Sequence, residues 1–131
     1  MLIAVVEDNE FIRSAAVGIL DHAGYAALSF ESADSAVTSL GSLRSTVSLV
    51  LTDVSMPGAL DGLDFARLLS HQAPHLPVIV MSLDADSLVE ARGIPTVVGV
   101  LAKPFAPNEL VALVTRLAHP LLNQTTTRRQ P

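Results

Sequence analysis

Four stretches of this chain, residues 2–6, 47–51, 78–81 and 97–101, are apolar runs rich in valine, leucine and isoleucine with next to no polar alternation. A strand with one face in water alternates apolar and polar residues, whereas a run without alternation needs cover on both faces. The arrangement that supplies such cover is a parallel sheet sandwiched between helices. Residues 25–30 form a weaker fifth run.

Helical spacing fills the intervals. Asn9 is placed to cap a first helix with Ile12, Ala15, Ala16, Ile19 and Leu20 on its apolar face, ended by Gly24. Ser32 caps a second, which carries Ala36, Val37 and Leu40. Leu63, Ala66 and Leu69 mark a third, stopped by Pro74; a short fourth covers residues 85–92 and ends at Gly93. The fifth opens at Pro107 with Leu110, Leu113, Val114 and Leu117 in phase. Five alternations of strand and helix predict an α/β fold, a doubly wound five-stranded parallel sheet with five helices in a flavodoxin-like three-layer sandwich. One domain over residues 1–118 suits a chain of 131 residues, and residues 119–131, polar and aperiodic, read as a flexible C-terminal tail.

Thirteen acids against eight lysines and arginines leave a formal net charge of −5, which argues against nonspecific binding to nucleic acid or anionic lipid. Cysteine is absent, so disulfides and thiolate metal sites are excluded. The apolar start meets Glu7 and Asp8 too early for a signal peptide or a membrane span. The expectation is a soluble, cytoplasmic protein without direct nucleic-acid or membrane contact.

Glu7, Asp8, Asp53, Ser82 and Lys103 each stand at or just after the carboxyl end of an apolar run. Ligands of open α/β sheets bind outside those ends, so the expected topology gathers all five on one rim. Adjacent carboxylates repel unless a cation lies between them, and hard oxygen ligands suit Mg²⁺, which takes about six oxygens and keeps several waters. For Glu7 and Asp8 the plainer alternative is a solvated acidic turn leading into the Asn9 cap. Asp53 precedes the turn Ser55-Met56-Pro57-Gly58, where a carboxylate is either a local turn former or a metal ligand and nucleophile toward a phosphoryl group. Lys103 offers a point charge for a phosphoryl oxygen or for Asp53, and its bond to Pro104 is a candidate cis peptide. Ser82 offers a hydroxyl for the same oxygen or for nearby backbone. The histidines, His22, His71, His75 and His119, show no ligand-like spacing and receive no role.

Taken together, Val5-Val6-Glu7-Asp8-Asn9, Thr52-Asp53-Val54-Ser55-Met56-Pro57-Gly58, Met81-Ser82 and Lys103-Pro104-Phe105 make the chain resemble the receiver domain of two-component response regulators, single-domain type, over residues 2–118. The resemblance implies that Asp53 is the phosphoacceptor, charged by a histidine kinase or phosphotransfer protein. It further implies Mg²⁺ held by Asp8, Asp53 and the Ser55 backbone carbonyl, with Glu7 acting through metal-bound water, Ser82 as switch hydroxyl and Lys103 as phosphoryl partner. Catalysis would extend only to the chain's own phosphotransfer and autodephosphorylation, and a downstream protein partner would read the region from Ser82 to Arg92. Homodimerisation is left open.

Departures from the family pattern bear on mechanism. Val100 stands where an aromatic is common, Leu83 where a small residue is usual, and the loop Gly58-Ala59-Leu60-Asp61-Gly62 is one residue longer than in many relatives. Leu83 is expected to restrict access to Asp53. Two other classes compete: a Mg²⁺-dependent phosphohydrolase with an aspartyl nucleophile, and a pseudo-receiver that only binds a partner protein. The first usually wants a second acid two residues after the nucleophile, where this chain has Ser55.

Overall fold

The central strands are apolar up to their carboxyl ends because helices cover both of their faces. The computed structural model describes residues 1–43 and 46–118. In chain order these form β1 (Leu2–Val6), α1 (Glu10–His22), β2 (Ala26–Phe30), α2 (Ala33–Leu43), β3 (Leu49–Asp53), α3 (Gly62–Gln72), β4 (Val78–Ser82), α4 (Ala85–Arg92), β5 (Val97–Ala102) and α5 (Pro107–Ala118). All neighbouring strands pair in parallel, in the order β2-β1-β3-β4-β5. The chain winds outward from β1 to one edge and then from β3 to the other. Strand order therefore reverses between β1 and β3, the position at which doubly wound sheets form their ligand crevice.

Successive side chains of a strand point to opposite faces, so β1 feeds two cores at once. Ala4 and Val6 join Val50, Val80, Leu40 of α2 and Phe65 and Leu69 of α3 on one side. Ile3 and Val5 join Leu51, Ile79, Leu20 of α1 and Leu110 and Val114 of α5 on the other. Burial of a leucine- or isoleucine-sized side chain stabilises by about 1.5–3 kcal/mol, and every residue of β3 and β4 is buried. The edge strands β2 and β5 are only partly covered, which is why residues 25–30 carry the weaker apolar signal.

The expected punctuation is present with small shifts. Asn9 Oδ1 accepts from the N–H groups of Phe11 and Ile12 at 2.9 and 3.0 Å, and Gly24 leaves α1 with φ +95°, a left-handed conformation that favours glycine. Ser32 Oγ accepts from the Ser35 N–H at 3.1 Å at the start of α2. Ala15, expected on the apolar face of α1, is exposed, since only Ala16 and Leu20 lie at the centre of that stripe. Strand β3 begins two residues later than its apolar run and extends through Asp53. The Lys103–Pro104 peptide is cis, as the sequence allowed. Among the described residues no helix is long and apolar enough to cross a membrane. The expected tail, residues 119–131 with His119, lies outside the described residues.

Candidate functional site

Parallel pairing brings the strand ends nearly level. Val6 lies opposite Thr52, Asp53 opposite Met81, and Ser82 opposite Ala102. Glu7 and Asp8 therefore leave β1 on the same rim where Asp53 ends β3, Ser82 ends β4 and Lys103 follows β5. One carboxylate oxygen from each of Glu7, Asp8 and Asp53 lies within 4.8 Å of the other two. Glu7 and Asp53 are 1% and 6% exposed, whereas Asp8 sits at the solvent edge.

Lys103 is shared between two of these acids. Its Nζ donates to Glu7 Oε1 at 2.5 Å and pairs with Asp53 Oδ1 at 3.0 Å. The second Glu7 oxygen accepts the Asn9 N–H at 3.1 Å, so both Glu7 oxygens are engaged. Burial pushes the Glu7 carboxyl above its usual value, with help from the negative neighbours Asp53 and Asp8 and against the hydrogen bonds from Lys103 and Asn9. Burial also works against the Lys103 ammonium, yet Glu7 and Asp53 outweigh it and hold its pKa above the ordinary lysine value. Three carboxylates facing one ammonium leave excess negative charge in a small volume. Hard oxygen donors with solvent on one side fit Mg²⁺, which keeps part of its hydration shell.

The backbone around these groups is fixed by bonds the motifs do not announce. Arg13 Nη1 donates to the Glu7 carbonyl at 2.9 Å, and Thr52 Oγ1 donates to the Asp53 carbonyl at 2.9 Å. A Cβ at Gly62 would stand 1.8 Å from that same Asp53 carbonyl oxygen, so α3 starts against the back of Asp53 only because residue 62 is glycine. The Asp61-Gly62 pair was the available signal. The Asp34 carboxylate accepts from the N–H groups of Ala59 and Leu60 at 3.0 and 3.1 Å, a contact 25 residues away in sequence that no local pattern reveals.

Ser82 is buried at its strand end, and its Oγ accepts the Asp84 N–H at 3.0 Å. Ser55 follows β3 on the exposed loop. Leu83 departs from expectation. It is 79% exposed and lines an apolar groove with Phe11, Ile12, Pro104 and Phe105, so it covers little of Asp53. Side chains alternate along extended backbone; with Ser82 turned inward, Leu83 turns out. Val100 is half-buried against the core beneath α3 and α4. His22, His71 and His75 are exposed and away from the cluster.

A doubly wound sandwich with an acidic, lysine-paired pocket at its strand-order reversal defines a narrow class of proteins. The family model of the response regulator receiver domain matches residues 3–115, and the chain belongs to that family. The response regulator protein FleR of Pseudomonas aeruginosa is 36% identical over 118 residues, covering 88% of this chain and 24% of FleR. The phosphate regulon transcriptional regulatory protein PhoB of Klebsiella pneumoniae is 34% identical, covering 86% of this chain and 49% of PhoB. The crystal structure of the receiver domain of NtrX from Brucella abortus superposes with a TM-score of 0.80 at 30% identity, covering 88% of this chain and 96% of that one. The chain spans about a quarter of the length of the first curated relatives it matches.

Proposed function

We propose that residues 1–118 form a phosphorylatable receiver unit in which Asp53 accepts a phosphoryl group from phosphohistidine on a histidine kinase or phosphotransfer protein. The observation that carries this reading is the buried Asp53 carboxylate, held 3.0 Å from Lys103 inside a cluster of three acids. A carboxylate oxygen of Asp53 attacks phosphorus, the phosphorus–nitrogen bond breaks, imidazole leaves with its electron pair, and an acyl phosphate remains. Lys103 then exchanges Asp53 Oδ1 for a phosphoryl oxygen, and Ser82 donates its hydroxyl to another.

Asp8, Asp53 and the Ser55 backbone carbonyl would hold Mg²⁺, with Glu7 acting through bound water. That indirect role for Glu7 is supported by the engagement of both its oxygens, with Lys103 and Asn9. When bound, Mg²⁺ supplies positive charge opposite the transferring phosphoryl oxygens, where catalysis is mainly positioning and electrostatics. The added charge, about −1.5 to −2 near neutral pH, draws Ser82 and Lys103 inward and alters the stretch from Ser82 to Arg92 that a downstream protein would read.

Incubation with acetyl phosphate and Mg²⁺, followed by intact mass measurement, tests the reading. One labile phosphoryl adduct is expected in wild type and none in Asp53→Asn, which keeps the shape and loses the nucleophile. Steady turnover of phosphate esters would instead indicate a hydrolase. Absence of any adduct would indicate a binding-only scaffold.

A further inference from the structure

The loop from β3 to α3 is held by a carboxylate from a different element, Asp34 of α2. We infer that Asp34 is a positioning residue for the Asp53 site: by clamping this loop it sets the geometry in which residue 55 presents its carbonyl to Mg²⁺. The inference rests on the metal assignment proposed above.

Asp34 lies in the first turn of α2, where an acid ordinarily serves the helix it belongs to. Here the start of α2 is already served by the Ser32 hydroxyl, which accepts the Ser35 N–H. The two Asp34 oxygens instead accept one N–H each from Ala59 and Leu60, at 3.0 and 3.1 Å. Charge-assisted bonds to a carboxylate are roughly twice as strong as neutral ones, and two of them fix orientation as well as distance. The loop is shaped to receive the clamp. Gly58 has φ +104°, a left-handed conformation that favours glycine, and a Cβ there would come within 2.7 Å of Asp34 Oδ2.

The clamp acts on a loop already tied at its base. The Gly62 N–H donates to the Val54 carbonyl at 2.8 Å, closing residues 54–62 into a ring. Asp61 and Asp64 form a reciprocal capping box at the ring's exit. With base and exit fixed, Asp34 restrains the far side, and the segment left to carry the metal-facing carbonyl is Ser55-Met56-Pro57. Without Asp34 the far side of the ring becomes slack next to the ligand. Loss of partners that orient metal ligands typically weakens metal binding by about 10–100-fold; a clamp acting through backbone belongs at the low end, about tenfold.

The test is an NMR titration of the folded protein with Mg²⁺, following backbone amides near Asp53, in wild type, Asp34→Ala and Asp34→Asn, each far below its own unfolding midpoint. Asp34→Ala should weaken Mg²⁺ binding about tenfold. Asp34→Asn keeps one acceptor oxygen and should recover part of that loss, with the Ala59 and Leu60 amide shifts moving in the same order across the three proteins. Variants that melt earlier but bind Mg²⁺ as wild type does would overturn the positioning role and reduce Asp34 to a structural tether. If wild type binds Mg²⁺ and Asp8→Ala does not, while Asp34→Ala matches wild type, only the clamp fails. Failure of wild type to bind Mg²⁺ overturns the metal assignment and the clamp together.

Discussion

Lys103 places one positive charge between two carboxylates that the fold has taken out of water. Removing one partner of a buried ion pair typically costs about 3–5 kcal/mol, because the remaining charge has nowhere to go. Lys103→Met is therefore expected to lose stability of that order in metal-free urea unfolding at neutral pH, and to gain more from Mg²⁺ than wild type does. The pH dependence follows from the raised Lys103 pKa. Its contribution is fully present below the unfolded value of 10.5 and is lost as pH climbs through the higher folded value. The gap between wild type and Lys103→Met should thus persist through neutrality and close in strong alkali; equal urea midpoints at neutral pH would contradict the pairing. Gly62→Ala tests the packing behind Asp53. Overpacking typically costs about 1–3 kcal/mol, and since the clash is with backbone the loss should fall at the upper end, read as a lowered thermal midpoint. Residues 7, 8, 53, 82 and 103 were legible because each ends an apolar run. The pairing of Lys103 with Asp53 was legible too, whereas its bond to Glu7 was not, since that depends on how β1 and β5 converge in space.

Helix α4 is far less buried than α3 on the same face of the sheet. Of its eight residues only Ala91 is buried, whereas α3 buries Gly62, Leu63, Phe65, Ala66 and Leu69. Elements with few buried contacts open at lower free energy, so amides in α4 should exchange with solvent faster than those in the middle of α3; equal protection would show that α4 is held by something other than packing. A phosphoryl mimic should accordingly shift resonances of Leu83 to Arg92 most. Val100, β-branched and without a ring, has few rotamers to switch, which leaves β5 a small response. Large shifts confined to Val97–Ala102 would refute that route. Strands β1, β3 and β4 were readable because burial on both faces removes polar alternation, while edge strand β2 was faint for the opposite reason. The outward turn of Leu83 was missed because residue type alone does not fix direction past a strand end, and Asp34 was missed because its partners lie across the fold.

At the scale of the whole molecule, fold and site are one arrangement: the reversal of strand order between β1 and β3 opens the crevice, and the acids at those strand ends fill it. Apolar patterning, caps and glycine stops all pointed to the same sandwich, which is why the architecture was legible from the chain alone. A ligand that binds only the folded state stabilises it by mass action, about 2.7 kcal/mol at one hundred times its dissociation constant. Mg²⁺ should therefore raise the melting temperature of wild type and leave Asp8→Ala nearly unchanged; equal gains would place the metal elsewhere. The central claim is that the chain carries its signal as an acyl phosphate on Asp53. Borohydride reduces an acyl phosphate to the primary alcohol, converting the modified aspartate to homoserine, and peptide mass mapping locates the change. After treatment with acetyl phosphate and Mg²⁺, homoserine is predicted at position 53 and at no other aspartate. Homoserine at Asp8 or Asp61, or none anywhere in protein that is folded and binds Mg²⁺, would contradict the account.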